Sequence, residues 1–218
     1  MPLNLIDLGL IDFASAWRKQ KEVFAAVRDS SFGPSVIFCR HYPVITLGSR
    51  AKRENILVND SDLQSNGIEF YKIERGGEVT YHGPGQLIAW PILDLQLFKK
   101  DIHFFLRYLE GQVINLLGDF GISGERRDGF TGVWVGRRKI ASIGIAVKNW
   151  ISFHGLSINI KENDLGNFKL IRPCGMDIEM TSLEHELGRR VEMDNIKTNL
   201  MQKFKNSLNI KTESLFQC

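Results

Sequence analysis

The sequence predicts an α/β protein, a mixed sheet with helices packed against it, and two observations carry that expectation. Segments with apolar residues at the helical 3.6 period alternate along the chain with short apolar runs and period-2 stretches of strand type. Compact breaks containing Gly, Pro or Asp separate them, and the 218 residues hold no linker, repeat or low-complexity tract. A chain of this length is expected to form one domain over residues 1–218, burying roughly 70% of the surface its unfolded form exposes.

A first strand is expected near Leu3–Leu8, then a helix over Asp12–Asp29 with Phe13, Trp17, Phe24 and Val27 on one face, ended by Gly33-Pro34. Ser35–Arg40 (SVIFCR) reads as a buried strand. Gln86–Leu95 reads as another, and its Pro91 predicts an edge position or a bulge, since proline cannot donate to a ladder. Ile102, Phe105, Leu106, Leu109, Val113, Leu116 and Leu117 keep helical spacing until Gly118 or Gly121 stops the helix. Strands follow over Gly132–Val135, Lys139–Val147 and Ile151–Ile160. The C-terminal quarter reads as mostly helical, with Asp194 as a cap and Ile196, Leu200 and Phe204 on one face.

Composition excludes several classes. With 43% hydrophobic and 24% charged residues and a net charge of +3, the chain is an ordinary globular one whose bulk charge implies no nucleic-acid partner. No apolar run reaches the roughly 18 residues a membrane span needs. The amino terminus MPLNLIDLGLIDF carries acids and no basic leader, so the cytoplasm is expected. Cys39, Cys174 and Cys218 form no C-x-x-C pair and argue against a disulfide framework. The five histidines show no metal-ligand spacing, and no metal site is expected. Nothing suggests an assembly element, so a monomer is expected. Arg126, Arg127, Arg137, Arg138 and Lys139 form one basic group and Arg50, Lys52 and Arg53 a second; each is either a solvated face or a docking patch for an acidic protein.

Arg75–Gln86 (RGGEVTYHGPGQ) combines four glycines with a proline, a histidine and a tyrosine, which no buried strand or amphipathic helix requires. It reads as a loop that lets backbone and ligand approach closely. In RKIASIGIAV, Ala141, Ile143, Ile145 and Val147 share an apolar face opposite Ser142 and Gly144; in SFHGLSINI, Leu156, Ile158 and Ile160 lie opposite Gly155, Ser157 and Asn159. If these strands pair, the small faces line a slot beside the glycine loop; otherwise they face solvent. Cys39 in its apolar strand reads as core and Cys218 as a frayed end. Cys174, between Pro173 and Gly175, lies on a loop, where functional groups concentrate.

Four motifs in order, RGGEVTYHGPGQ, GVWVGRRKIASIGI (Gly132 to Ile145), FHGLSINI (Phe153 to Ile160) and PCGM (Pro173 to Met176), resemble the bacterial octanoyl (lipoyl) transferases, over about Val44 to Met180. The resemblance implies the α/β core of biotin and lipoate protein ligases. It implies a cytoplasmic enzyme that needs no cofactor and moves an octanoyl group from acyl carrier protein to a lysine of lipoyl domains, those of 2-oxoacid dehydrogenase E2 subunits and of glycine cleavage H protein. No nucleic acid or membrane takes part. By the same resemblance Cys174 is the acyl-accepting nucleophile and Lys139 the residue that activates it. Arg75, Gly76, Gly77, Glu78, Val79, Thr80, Tyr81 and His82 match a long substrate-binding segment, and Ser142, Ile143, Gly144 and Gly155, Leu156, Ser157 match two shorter ones.

The chemistry fits these residue types. A free thiol with pKa near 8.5 is only about 3% thiolate at pH 7, and a nearby lysine cation raises that fraction. The acceptor lysine, with pKa near 10.4, is roughly 0.04% neutral and needs a base. Lys139 is either that base or only the cation that lowers the thiol pKa; its odd position aligns it with the apolar face of its strand, which suggests burial. His82 and His154 are either proton-transfer partners or hydrogen-bonding residues that fix the pocket. Backbone N–H groups near Gly77 or Gly144 are candidates for the oxyanion. The alternatives are an ATP-dependent lipoate protein ligase of the same fold, a cysteine hydrolase, and a non-catalytic acyl or nucleic-acid binding module.

Overall fold

The computed structural model describes residues 2–172 and 178–215. The chain runs β1 (Asn4–Ile11), α1 (Phe13–Arg28), β2 (Ser35–His41), β3 (Val44–Leu47), α2 (Asp60–Ser65), β4 (Glu69–Lys72), β5 (Val79–His82), β6 (Gln86–Ile92), α3 (Leu95–Phe98) and α4 (Ile102–Gly118). There follow β7 (Glu125–Arg127), β8 (Phe130–Val135), β9 (Arg138–Lys148), β10 (Ile151–Asn159), a 3-10 segment (Glu162–Leu170), α5 (Leu183–Leu187) and α6 (Met193–Leu215). Seven strands form one sheet in the order β1-β2-β6-β10-β9-β8-β7, and three form a smaller sheet, β4-β3-β5. Pairing is antiparallel apart from β1 with β2 and β3 with β4, so both sheets are mixed.

Helix α1 starts where Asp12 accepts a hydrogen bond from the Ser15 N–H at 2.8 Å. Its Phe13, Ala16, Val23 and Val27 pack with Ile37 and Cys39 of β2 and Ile88, Trp90 and Ile92 of β6. The alternate residues of the same strands, Val36, Phe38, Leu87 and Ala89, pack on the other side with Phe105, Leu109 and Val113 of α4 and Leu200 and Phe204 of α6. Strands covered on both faces carry apolar residues at every position, which is why SVIFCR reads as a continuous run. A third cluster, with Ile45, Leu63, Tyr81, Phe168 and Ile171, supports the small sheet.

Three local expectations are corrected. Pro91 lies in a central strand, between β2 and β10, not at an edge. The irregularity it demands falls on β10, where His154 takes φ +55° and the β10–β6 register stops at Leu156 opposite Ala89. Ser152 closes the gap: its Oγ donates to Pro91 O at 2.9 Å and accepts from the Leu93 N–H at 3.1 Å. Asp194 sits within the first turn of α6, bonded to Lys197 Nζ at 2.8 Å, while the Ile196 N–H donates to Glu192 O. The glycine-rich segment is not wholly loop, for Val79–His82 is β5.

Candidate active site

Strands β9 and β10 pair with Ser142 opposite Ser157 and Gly144 opposite Gly155. Directly opposed residues share a face, so the four small residues form a lane while Ala141, Ile143, Leu156 and Ile158 enter the core behind it. A cavity of about 360 Å³ lies over this lane, within the size range of small-molecule sites, about 300–1,000 Å³. The segment Arg75–Glu78 lies across it. The Gly76 N–H donates to Ile145 O at 2.7 Å, and the 48–50 turn donates to Glu78 O, Arg75 O and Gly77 O at 2.9–3.1 Å. Arg75 is buried and donates to Thr46 O at 2.7 Å and to Thr46 Oγ1 at 2.9 Å, tying the segment to β3.

The glycines of the lane serve the protein before they serve a ligand. A Cβ on Gly144 would lie 2.9 Å from Gly76 O and 3.1 Å from Arg75 Cδ, whereas one on Gly155 would collide with Ala89 O and lie 2.7 Å from Pro91 Cδ. Both contacts are with backbone oxygens, but the first is longer and belongs to a hydrogen-bonded loop, the second to a central strand. Gly155→Ala is therefore expected to lower stability by about 2–3 kcal/mol, about 5–10 °C in thermal midpoint. Gly144→Ala is expected to cost less, about 1 kcal/mol or about 2–4 °C in the midpoint, and to raise KM for the acyl donor. Equal midpoint losses in a melting experiment would overturn this assignment.

Lys139 lines the cavity and is buried. Simple alternation from Ala141 would turn it into the core, and the structure corrects that expectation. Val133 pairs with Ala141 and Trp134 with Lys139, so Ile140 is an extra residue in β9. This bulge sends both Ile140 and Ala141 into the core and returns Lys139 to the face of Ser142. Its Nζ lies 5.0 Å from the centre of the Trp134 ring, which the Arg127 guanidinium also approaches at 5.5 Å. The Lys139 N–H donates to Glu179 O at 2.8 Å and its carbonyl accepts from Thr181 N at 3.0 Å.

A hydrogen-bonded chain joins the glycine-rich strand to that same segment. Gln86 donates through Nε2 to Tyr81 O and to Asn159 Oδ1, and Asn159 Nδ2 donates to Thr181 O. Gln86 Oε1 is thus left as an acceptor, which makes His82 Nδ1, 3.0 Å away, the donor and His82 Nε2 an unprotonated acceptor. His154 Nε2 is buried without a hydrogen bond, 3.6 Å from a Glu74 oxygen.

Burial pulls the His82 pKa down to about 3, with the charge of His41 adding to the effect, and pulls His41 down to about 4; burial also lowers His154. These groups bind protons more weakly folded than unfolded, where histidine titrates near 6.5. Stability present above about pH 6.5 is therefore lost as pH falls, by roughly 1.4 kcal/mol per pH unit for each histidine until its folded pKa is reached. The thermal midpoint of His82→Gln is expected to fall less steeply than that of the parent between about pH 6.5 and 4. Parallel curves would show that His82 does not resist protonation in the fold.

The cavity gathers Lys139, every residue from Arg75 to Thr80, His82, and both short segments, Ser142–Gly144 and Gly155–Ser157. Tyr81 is not among its lining residues. It points to the face of β5 away from Thr80 and His82, where its hydroxyl accepts from Asn167 Nδ2 at 2.8 Å and its ring meets Phe168. Cys174 and Cys218 lie outside the described residues. Sequence reading missed Phe13, Trp90, Thr131, Phe168 and Met180, which line the cavity from five separate elements or loops without a shared motif. Gly132 and Trp134 stood inside a quoted motif with no role attached.

Within the first basic group Arg137 is exposed, whereas the other members have partners in the fold. Arg126 donates to Glu110 and Arg127 to Gly136 O, Arg138 makes a two-pronged bond to Glu186 at 3.0 and 3.1 Å, and Lys139 turns inward. In the second group Arg53 pairs with Asp60, and Arg50 lines the cavity. Among the described residues no cluster of three His, Cys, Asp or Glu is arranged to hold a metal, and no helix is long and apolar enough to cross a membrane.

Residues 12–205 match the family described as the lipoyl protein ligase A/B catalytic domain. The chain is 42% identical over 216 residues to an octanoyltransferase of Cytophaga hutchinsonii, covering 90% of this chain and 88% of that one. It is 46% identical over 180 residues to an octanoyltransferase of Gloeobacter violaceus, covering 82% and 78%. Among solved structures, a lipoate-protein ligase A bound with ATP aligns with a TM-score of 0.77 at 18% identity over 99% of this chain and 92% of that one. Biotin protein ligase from Aquifex aeolicus aligns at 0.54 and 12% identity over 98% and 72%. At such identities the solved structures speak for the fold alone, and it is the one the motifs imply; the sequence relatives are closer and share the catalytic class. The chain belongs to the lipoyl protein ligase A/B catalytic-domain family, among its octanoyltransferases.

Proposed function

We propose that this octanoyltransferase takes its acyl group from octanoyl-acyl carrier protein onto the thiol of Cys174 and passes it to a lysine of lipoyl domains, those of 2-oxoacid dehydrogenase E2 subunits and glycine cleavage H protein. The observation that carries this reading is the position of Lys139, which lines one cavity with the small-residue lane while its backbone pairs with Glu179 and Thr181, shortly after Cys174 in the chain.

In the first step the Cys174 thiolate, favoured by the Lys139 cation, adds to the thioester carbonyl. The carrier's thiolate leaves and takes up the proton that Cys174 gave up, so one thioester replaces another at little change in free energy. In the second step the acceptor amine adds to the Cys174 thioester. Of the two protons its ammonium sheds, one returns to the Cys174 sulfur and the other passes through Lys139 to water. Amide formation drives the sequence forward, and no ATP or other cofactor takes part. The acyl chain lies along the lane, where burying about six methylenes contributes roughly 5 kcal/mol. The enzyme works as a cytoplasmic monomer whose 218 residues form one catalytic domain.

The test is the intact mass of the protein after mixing with octanoyl-acyl carrier protein, with and without ATP. One octanoyl adduct formed without ATP and chased onto an added lipoyl domain supports the covalent route. Transfer from free octanoate only when ATP is present would replace it with a ligase, and release of free octanoate without an acceptor with a hydrolase.

A further inference from the structure

The buried face of α4 is apolar from Phe105 to Leu117 except at Glu110 and Gln112, and Glu110 is wholly buried, at 0% exposure. A buried carboxylate is costly unless it is paired and hydrogen-bonded. Glu110 is both. Arg107 donates to its Oε2 at 2.7 Å and Arg126 Nε to the same oxygen at 3.1 Å, while Arg126 also holds Arg107 O at 3.0 Å. The other oxygen, Oε1, accepts the Gly132 N–H at 3.1 Å.

Gly132 needs such a hold. Its φ is +140°, and a Cβ there would lie 2.6 Å from both Ala141 O and Lys139 Cε. The Lys139 side chain is therefore laid directly on the Gly132 backbone, with Trp134, two residues along, facing its ammonium at 5.0 Å. Two arginines pair with the carboxylate, the carboxylate accepts from Gly132, and Gly132 forms the seat of Lys139.

We infer that Glu110 is a positioning residue for octanoyl transfer, acting through Gly132 to hold Lys139 in the cavity wall. The inference rests on the reading of Lys139 given above. It gives one member of the basic group a task within the fold: Arg126 holds Glu110.

The test is Glu110→Gln, followed by single-turnover acylation from octanoyl-acyl carrier protein and by steady-state transfer to a lipoyl domain, over about pH 5 to 9. The expected result is a fall in kcat of about tenfold with KM for both protein substrates unchanged. The limb of the pH profile that depends on Lys139 is expected to move to lower pH, because Arg107 and Arg126 are left without their counter-charge and disfavour a third cation. An unchanged kcat, or a loss that follows only a lower thermal midpoint with the limb in place, would overturn the inference. If Glu110→Gln does not fold, Arg126→Met, whose side chain is 42% exposed, is read in the same way. Failure of the underlying reading is separately visible, since Lys139→Met would then transfer at the parental rate.

Discussion

A Cys174→Ser variant is expected to take up no octanoyl group from octanoyl-acyl carrier protein and to lose transfer by at least about 10³-fold, with an unchanged thermal midpoint. A serine hydroxyl is not ionised near neutral pH, whereas a few per cent of an unperturbed thiol already is, and a cation beside it raises that share. Exchange between thioesters is also close to balanced, while a serine ester would have to be made by a weaker nucleophile without a base matched to it. The variant changes one atom, so loss without unfolding isolates the nucleophile from the pocket. A variant that still passes octanoate to the lipoyl domain at the parental rate would mean direct attack by the acceptor lysine on the carrier thioester. Intact mass separates the two routes, because only the first leaves an acyl group on the enzyme between substrates.

The main elements and the slot were legible in the sequence, for different physical reasons. Helices α1 and α4 show their 3.6-residue period because each buries one face, and β2 shows as a solid apolar run because helices cover both faces of the sheet. The slot showed in the alternation of Ser142, Gly144, Gly155 and Ser157 with bulky aliphatic residues, and strand pairing puts those four on one face. Strands β3, β4 and β5 have four residues each, too few for a period to stand out, and β5 is further masked by the glycines around it. Pro91 misleads because local propensity counts only its own missing donor. Whether that donor is missed depends on Ser152 and His154, some sixty residues away.

The side on which Lys139 emerges was not legible, since it depends on the register between β8 and β9. Reading β9 alone gives strict alternation; only its pairing with Val133 and Trp134 reveals Ile140 as the extra residue. The role of each glycine was equally hidden, because the atoms that forbid a side chain at Gly144 and Gly155 belong to Gly76, Arg75, Ala89 and Pro91. A small residue beside a ligand and a small residue beside a neighbouring strand look alike in sequence. The histidines divide the same way: only the orientation of Gln86, fixed by Tyr81 and Asn159, sets which His82 nitrogen carries the proton.

Lys139→Met is expected to lower transfer by about 10²- to 10⁴-fold, the usual range for a positioned acid or base. Lys139→Arg then distinguishes its two possible tasks. Arginine restores a cation that does not lose its proton in proteins, so it can favour the Cys174 thiolate but cannot take a proton from the acceptor ammonium. If Lys139 only lowers the thiol pKa, the arginine variant should recover both acylation and transfer to within about tenfold of the parent. If Lys139 is the base, the arginine variant should form the octanoyl adduct in a single turnover and then stall, so that intact enzyme accumulates as the thioester until an amine of lower pKa is supplied. The stall is the outcome expected here, because Lys139 lines the same cavity as the small-residue lane, where the acceptor ammonium has to shed its proton. Arginine is also longer and planar, and the Gly132 seat leaves little space for it. Lys139→Met therefore serves as the reference for lost geometry, and only the difference between the two variants reports the proton. Adduct formation and transfer both recovered in the arginine variant, but not in the methionine one, would assign Lys139 to the first step alone and leave proton removal in the second to another group facing the cavity.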